Sequence, residues 1–264
     1  MVRKTPILRR NVDNAVTLFH NPPKIDLGDE TMTLTTQDVL NGIDKIHEEI
    51  PMYGHPLWVA MVDGTWDYEQ SQYVCKQHGG IPLHNHNYHG NLYRICPDPA
   101  WREMIAEVAY EEATGRLMSD GVSHHKLYLN YAKGMGMEPE EMYDPPYCAG
   151  VVAFQAYFTY ICSKSFLEGV AAHMLAGEAA IPGLYIKIAH KLQEQFGLSD
   201  EAVAYWVIHD SGDEEHSDVG VQLLDQYAKT EEDRILVLKI VRQMLEIQQL
   251  MYDDLYKNTM KMGS

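Results

Sequence analysis

Apolar residues recur along this chain at intervals of three and four and show no sustained alternation, a pattern that predicts helices with one buried face and no strands. Thr36 can cap a first helix whose Val39, Leu40, Ile43, Ile46 and Ile50 share a face, and Pro51 closes it. A short apolar segment, Pro56 to Val62, leads through Asp63-Gly64 to a helix from Tyr68 to His78 that stops at Gly79-Gly80. Pro82 opens the next, LHNHNYHGNLYRI. Pro97-Asp98-Pro99 ends it and starts another from Trp101 to Thr114, with Gly115 beyond its end. Ser123 begins a helix terminated by Gly134 and Gly136. After a proline-rich link come Gly150 to Cys162, Phe166 to Ala180, Pro182 to Phe196, a helix that Ser199-Asp200-Glu201 starts and that carries Tyr205 to Gly220, and a last helix from Glu231 to Tyr256 begun by Thr230 with Asp233. The expectation is an all-α bundle of about seven to ten helices, forming a single domain over 36–264 behind an irregular arm over 1–35 that contains Pro22-Pro23.

Composition narrows the partners. In 264 residues, 38 acidic side chains face 21 basic ones, and a formal charge of −17 repels nucleic acid and anionic membrane surfaces alike. The basic amino terminus develops no apolar signal core, and no apolar run reaches membrane-spanning length, so a cytoplasmic protein is expected. Cys75, Cys96, Cys148 and Cys162 form no CxxC pair and read as reduced thiols.

Chemistry concentrates in YWVIHDSGDEEHSDVG. On one α-helix, His209, Asp213 and His216, four and three residues apart, would leave a common face, because the offsets turn by roughly 40° and then back by roughly 20°. Polar atoms on the inner face of an apolar helix need partners. Three places offer them. Glu112 extends the stripe of Ile105 and Val108, whereas Glu111 points about 100° away toward solvent. His124 shares a face with Leu127 and Tyr131, with His125 as its less suitable twin. Glu178 lies in an otherwise small and apolar segment, where burial without a partner is costly.

In chain order, Glu112, His124, Glu178, His209, Asp213 and His216 resemble the ligand set of the heme-oxygenase-like dimetal oxidases and oxygenases. In that family a Glu and a His come from mid-chain, a second Glu from a helix ending in a small-apolar-Pro segment, and HxxxDxxH completes the set. His124-x-x-Leu127-Tyr128 with Met135-Gly136, and the separations of 54 from His124 to Glu178 and 31 from Glu178 to His209, are similar to the family's as well. HPLWVAMVDGTWDYEQSQYV and CPDPAWR look like the scaffold shared with thiaminase II and pyrroloquinoline quinone synthase, so the likeness spans about residues 38–228.

The resemblance implies two iron ions, with manganese as the alternative, held by those six residues. It implies O2 as co-substrate and oxidation through a peroxo-bridged diferric species: N-oxygenation, desaturation or oxidative C–C cleavage. Tyr88, Asn91, Gln155, Tyr157 and His173 beside the site favour a small amine- or amino-acid-like metabolite over a fatty chain. A homodimer is expected, and an external electron donor is a further candidate partner. The alternative is a metal-independent thiaminase-like hydrolase or cofactorless oxidase on the same scaffold. Glu111 against Glu112, His124 against His125, and the roles of His84, His86 and His89 stay open at this level.

Overall fold

The longest helix of the computed structural model, Glu231–Met262 (α12), is the spine on which the others stack. Thr230 starts it with a capping box: its hydroxyl accepts from the Asp233 N–H while Asp233 reaches back to the Thr230 N–H. Val237, Ile240, Val241, Met244, Leu245, Met251, Tyr252 and Leu255 make its buried stripe. At 32 residues it is roughly 48 Å long. The structure describes residues 34–178, 183–210 and 215–263, apart from the side chains of 178 and 215–218. Leu34–Ser264 form one compact unit. The N-terminal arm lies outside the described residues, apart from its last two.

Eleven further α-helices precede it among the described residues: Thr36–Glu49 (α1), Pro56–Val62 (α2), Tyr68–His78 (α3), His86–Ile95 (α4), Pro99–Thr114 (α5), His124–Gly134 (α6), Ala149–Lys164 (α7), Phe166–Val170 (α8), Tyr185–Phe196 (α9), Asp200–Ile208 (α10) and Glu215–Tyr227 (α11). No strand occurs among these residues. α12 packs on α7, α1, α3 and α2, α6 packs on α10, and α4 lies between α5 and α7.

Twelve helices exceed the expected seven to ten for two local reasons. Pro56–Val62 is helical, because Pro56 sits where a missing N–H costs nothing and the His55 ring caps the turn. The stretch expected to be one helix from the Ser199-Asp200-Glu201 start signal through Gly220 contributes to two, with His209 capping the end of α10 and His216 in the first turn of α11. Other ends shift as well. Thr35, not Thr36, caps α1, since its hydroxyl and the Asp38 carboxylate satisfy each other's N–H groups. α4 begins at His86 after a run of turns from Gly79, and α9 begins at Tyr185. The segment expected to be α-helical from Phe166 to Ala180 widens into a π-helix over Ala171–Glu178.

The core is aromatic where α2, α6, α9, α10 and α12 meet. Trp58 stands edge-on to Tyr252 at 5.0 Å and to Trp206 at 6.4 Å, and Trp206 stands edge-on to Tyr131 and Tyr185. All four cysteines are free thiols, three of them buried. None of the described helices is long and apolar enough to cross a membrane.

Candidate metal centre

Glu112 on α5, His124 on α6 and His209 at the end of α10 each place one ligand atom within 4.8 Å of the others. Their elements are fixed locally. Asp98 caps α5 by accepting from the N–H groups of Ala100 and Trp101, with Pro99 next in line. Ser123 caps α6 so that His124 is its first helical residue. Ser199 caps α10, which carries Tyr205 and Trp206 into the core and leaves His209 in the turn at its end.

Between α5 and α6 the chain must reverse tightly. Gly115 does this in the left-handed region at φ 63°, and a Cβ there would lie 2.0 Å from the Val122 carbonyl oxygen. The turn folds Leu117 and Ser119 over Glu111. The Leu117 N–H donates to Glu111 Oε2 at 2.7 Å and the Ser119 hydroxyl donates to Oε1 at 2.6 Å. Glu111 is therefore 6% exposed and not solvated as its helical position suggests. Burial opposes its charge, but the Ser119 hydroxyl, the N–H groups of Leu117 and Met118, and His124 together hold its pKa below the usual carboxylate range.

These bonds also set the tautomer of His124. Because Ser119 gives its proton to Glu111, its oxygen accepts from His124 Nε2–H at 3.0 Å, and Glu111 Oε1 lies 3.3 Å from the same nitrogen. In the neutral ring, the form a metal would meet, the lone pair is left on Nδ1. That nitrogen is buried, 3.1 Å from Glu112 Oε1, without hydrogen-bond geometry to any described group. His209 is set the same way: Nδ1–H donates to the Tyr205 carbonyl at 2.7 Å, which leaves the Nε2 lone pair. Its ring stands edge-on to His124 at 4.7 Å.

Burial would raise the Glu112 pKa, but the His124 contact and the charges available on His124, His209 and His89 bring it down to about 2. Burial would lower the His124 pKa, and the two flanking carboxylates overcome it and raise it. Burial, followed by repulsion from His124, keeps the His209 pKa low against the attraction of Glu112. The space among these three donors thus favours a cation. A buried imidazole nitrogen directed at a carboxylate, with its other nitrogen tied to a second carboxylate, is the donor chemistry of a metal ligand, and the cluster fits iron, which accepts imidazole and carboxylate together.

Of the six residues singled out from the sequence, these three come together. Asp213 lies outside the described residues, as do the side chains of Glu178 and His216, although Glu178 ends the π-helix and His216 begins α11. His125 faces away from the cluster and stacks on Tyr143, its Nε2 2.8 Å from the phenol. His84 pairs with Tyr147, and His86 is exposed.

A cavity of about 110 Å³ opens beside Glu112 and His209, walled by Tyr88, Phe154, Phe158, Tyr185 and Tyr205. His89 and His173, ring centroids 4.7 Å apart, line it from α4 and the π-helix. Asn91, Gln155 and Tyr157 lie elsewhere, bonded to Thr159, Gly80 and Gln243. The residues missed from the sequence are Asn85, whose amide donates to Glu112 Oε2, Ser119, and Gln248 on α12. Gln248 alone carried a signal, as a lone amide within the buried stripe of α12.

An all-α bundle with two histidines and a glutamate converging beside a small aromatic cavity is the architecture of a metal-dependent helical enzyme. Residues 72–249, more than half of the chain, match the family described as iron-containing redox enzymes, and the chain belongs to that family. A 4-aminobenzoate synthase of Chlamydia pneumoniae is 24% identical over 186 residues, covering 69% of this chain and 79% of that protein. A 4-aminobenzoate synthase of Nitrosomonas europaea is 20% identical over 236 residues, covering 85% and 94%. A solved domain of unknown function with a heme oxygenase-like fold, from Shewanella denitrificans, superposes with a TM-score of 0.65 at 17% identity, covering 86% of this chain and 93% of that one.

Proposed function

We propose that the protein is an O2-dependent non-heme iron oxidase or oxygenase acting on a small amine- or amino-acid-like metabolite. Glu112, His124 and His209 hold one iron, and Glu178, Asp213 and His216 complete a dinuclear centre. One observation carries this reading: three donors from three helices lie within 4.8 Å of one another, and the lone pair of each histidine is fixed by a hydrogen bond on its other nitrogen. Bound iron would supply the electrons that reduce O2.

The chain's own residues orient and exclude. Glu111 and Ser119 retain the His124 proton at Nε2, so the ring meets a metal only through Nδ1. Asn85 holds Glu112 Oε2, so that carboxylate presents Oε1 toward His124. The aromatic walls give the cavity a largely apolar lining. Its volume of about 110 Å³ is of the same order as the roughly 150 Å³ of a protein cavity that takes up benzene, so it suits a ligand built on one ring and no fatty chain. The two relatives that carry the name 4-aminobenzoate synthase support a product of that size, an aromatic ring bearing an amine and a carboxylate.

Anaerobic loading with Fe(II), followed by O2 uptake across a panel of amines, amino acids and fatty acids, tests the proposal. Uptake of two irons per chain and O2 consumption stimulated by an amine or amino acid is the expected result. Less than one iron per chain with chelator-insensitive activity, or stimulation by fatty acids alone, refutes it.

A further inference from the structure

Two residues lining the cavity, outside the metal cluster, each carry a buried polar atom with no partner among the described residues: Gln248 Oε1 and the Tyr88 hydroxyl. Both residues are more than nine-tenths buried, Gln248 at 7% and Tyr88 at 1% exposure. A buried acceptor left without a donor costs about 1–3 kcal/mol, so a fold that keeps one on a residue of a cavity wall gains when a ligand supplies the donor. Gln248 is also oriented. Its Nε2 donates to the Tyr252 hydroxyl one turn along α12 at 2.8 Å, which turns Oε1 away from Tyr252 as the free end of the amide.

The remaining chemistry of the walls selects among donors. No lysine or arginine lines the cavity among the described residues, and rings from Tyr88, Phe154, Phe158, Tyr185 and Tyr205 form flat apolar faces. Tyr88 is stacked on Phe158 at 3.9 Å, which fixes the plane of one wall. A flat ring fits between such faces. An N–H on its rim meets the oxygen that lacks a donor.

We propose that Gln248 is the specificity-determining residue of this site, its Oε1 accepting a hydrogen bond from the primary amine of a single-ring arylamine. The proposal rests on the reading of this cavity as the substrate site and adds to it the substrate class.

Pairs of ligands that differ only by amine against methyl isolate the contact. Aniline against toluene, and 4-aminobenzoate against 4-methylbenzoate, are titrated calorimetrically into the metal-free and the anaerobic Fe(II)-loaded chain, with iron content measured in the same samples. The wild type is expected to prefer the amine of each pair by about tenfold or more. Gln248→Leu is expected to abolish the preference while leaving toluene and 4-methylbenzoate binding within about twofold, and Gln248→Glu, which keeps an acceptor, to retain it. The methyl ligands thereby report whether the variant cavity is intact. Equal affinity within each pair for the wild type, an undiminished preference in Gln248→Leu, or failure of all four ligands to bind overturns the proposal. Failure of the metal reading has a different signature, an amine preference that survives in a chain that takes up no iron.

Discussion

Glu111→Gln separates two adjacent carboxylates that the sequence leaves interchangeable. In the structure Glu111 accepts from the Leu117 N–H at 2.7 Å on one oxygen and from the Ser119 hydroxyl at 2.6 Å on the other, which also lies 3.3 Å from His124 Nε2, and it is 6% exposed. A glutamine keeps one acceptor oxygen and sets an NH2 group against the donor on the other side. One buried donor is stranded at a cost of about 1–3 kcal/mol, and the remaining bond loses its charge assistance, so the metal-free protein should be destabilised by about 2–4 kcal/mol. The second effect is on His124. With Glu111 neutral, the Ser119 oxygen is no longer committed as acceptor for His124 Nε2–H, the ring can change tautomer, and Fe(II) affinity should fall by about 10–100-fold, as for other groups that orient a ligand from behind. Glu112→Gln, by contrast, removes an anionic donor from the cluster itself and should abolish Fe(II) binding. Urea unfolding of the metal-free variants gives the first number, and anaerobic competition with a chromogenic Fe(II) chelator gives the second. Wild-type stability and iron affinity in Glu111→Gln would refute the assigned role, and so would iron retained by Glu112→Gln but lost from Glu111→Gln.

Gly115→Ala should cost at least about 2 kcal/mol in urea unfolding and lower Fe(II) affinity as Glu111→Gln does. Its Cβ meets backbone atoms of Val122 at 2.0–2.7 Å in a left-handed turn, and relief opens the loop that holds Glu111. His78 predicts acid sensitivity. Burial pushes its pKa down from 6.5 to about 3, so between these values the unfolded chain binds a proton that the folded chain refuses. The neutral ring costs no stability above pH 6.5, and stability is lost as pH falls toward 3, at about 1.4 kcal/mol per unit. Unfolding at pH 7 and pH 5 should therefore show a loss about 2 kcal/mol smaller in His78→Phe than in the wild type, and equal losses would contradict the burial argument. Fe(II) at a hundredfold excess over its Kd should stabilise the chain by about 2.7 kcal/mol, read as a rise in Tm that a chelator reverses, with no such rise in His124→Ala.

What the sequence determined about this protein is local. Thr35 with Asp38, Asp98 before Pro99, Ser123, Ser199 and Thr230 with Asp233 are short-range hydrogen-bonding devices, and they mark helix starts in the sequence within a residue or two of where the structure has them. The period of the apolar stripes likewise put Glu112 and His124 on inward faces and predicted an all-α bundle, while the heme oxygenase-like form of that bundle was implied by the resemblance alone. Tertiary structure decided the rest, because it depends on contacts between residues distant in the chain or on turns that periodicity does not describe. Glu111 is buried by a loop that Gly115 folds back upon it, against its helical position. His209 lies past the end of α10, so it joins Glu112 and His124 from a turn and not from the middle of a long helix. Gln248 reaches the same cavity from a helix some forty residues further along the chain, since only the packing of α12 against α7 and the π-helix places its buried amide beside aromatic rings from α4 and α7.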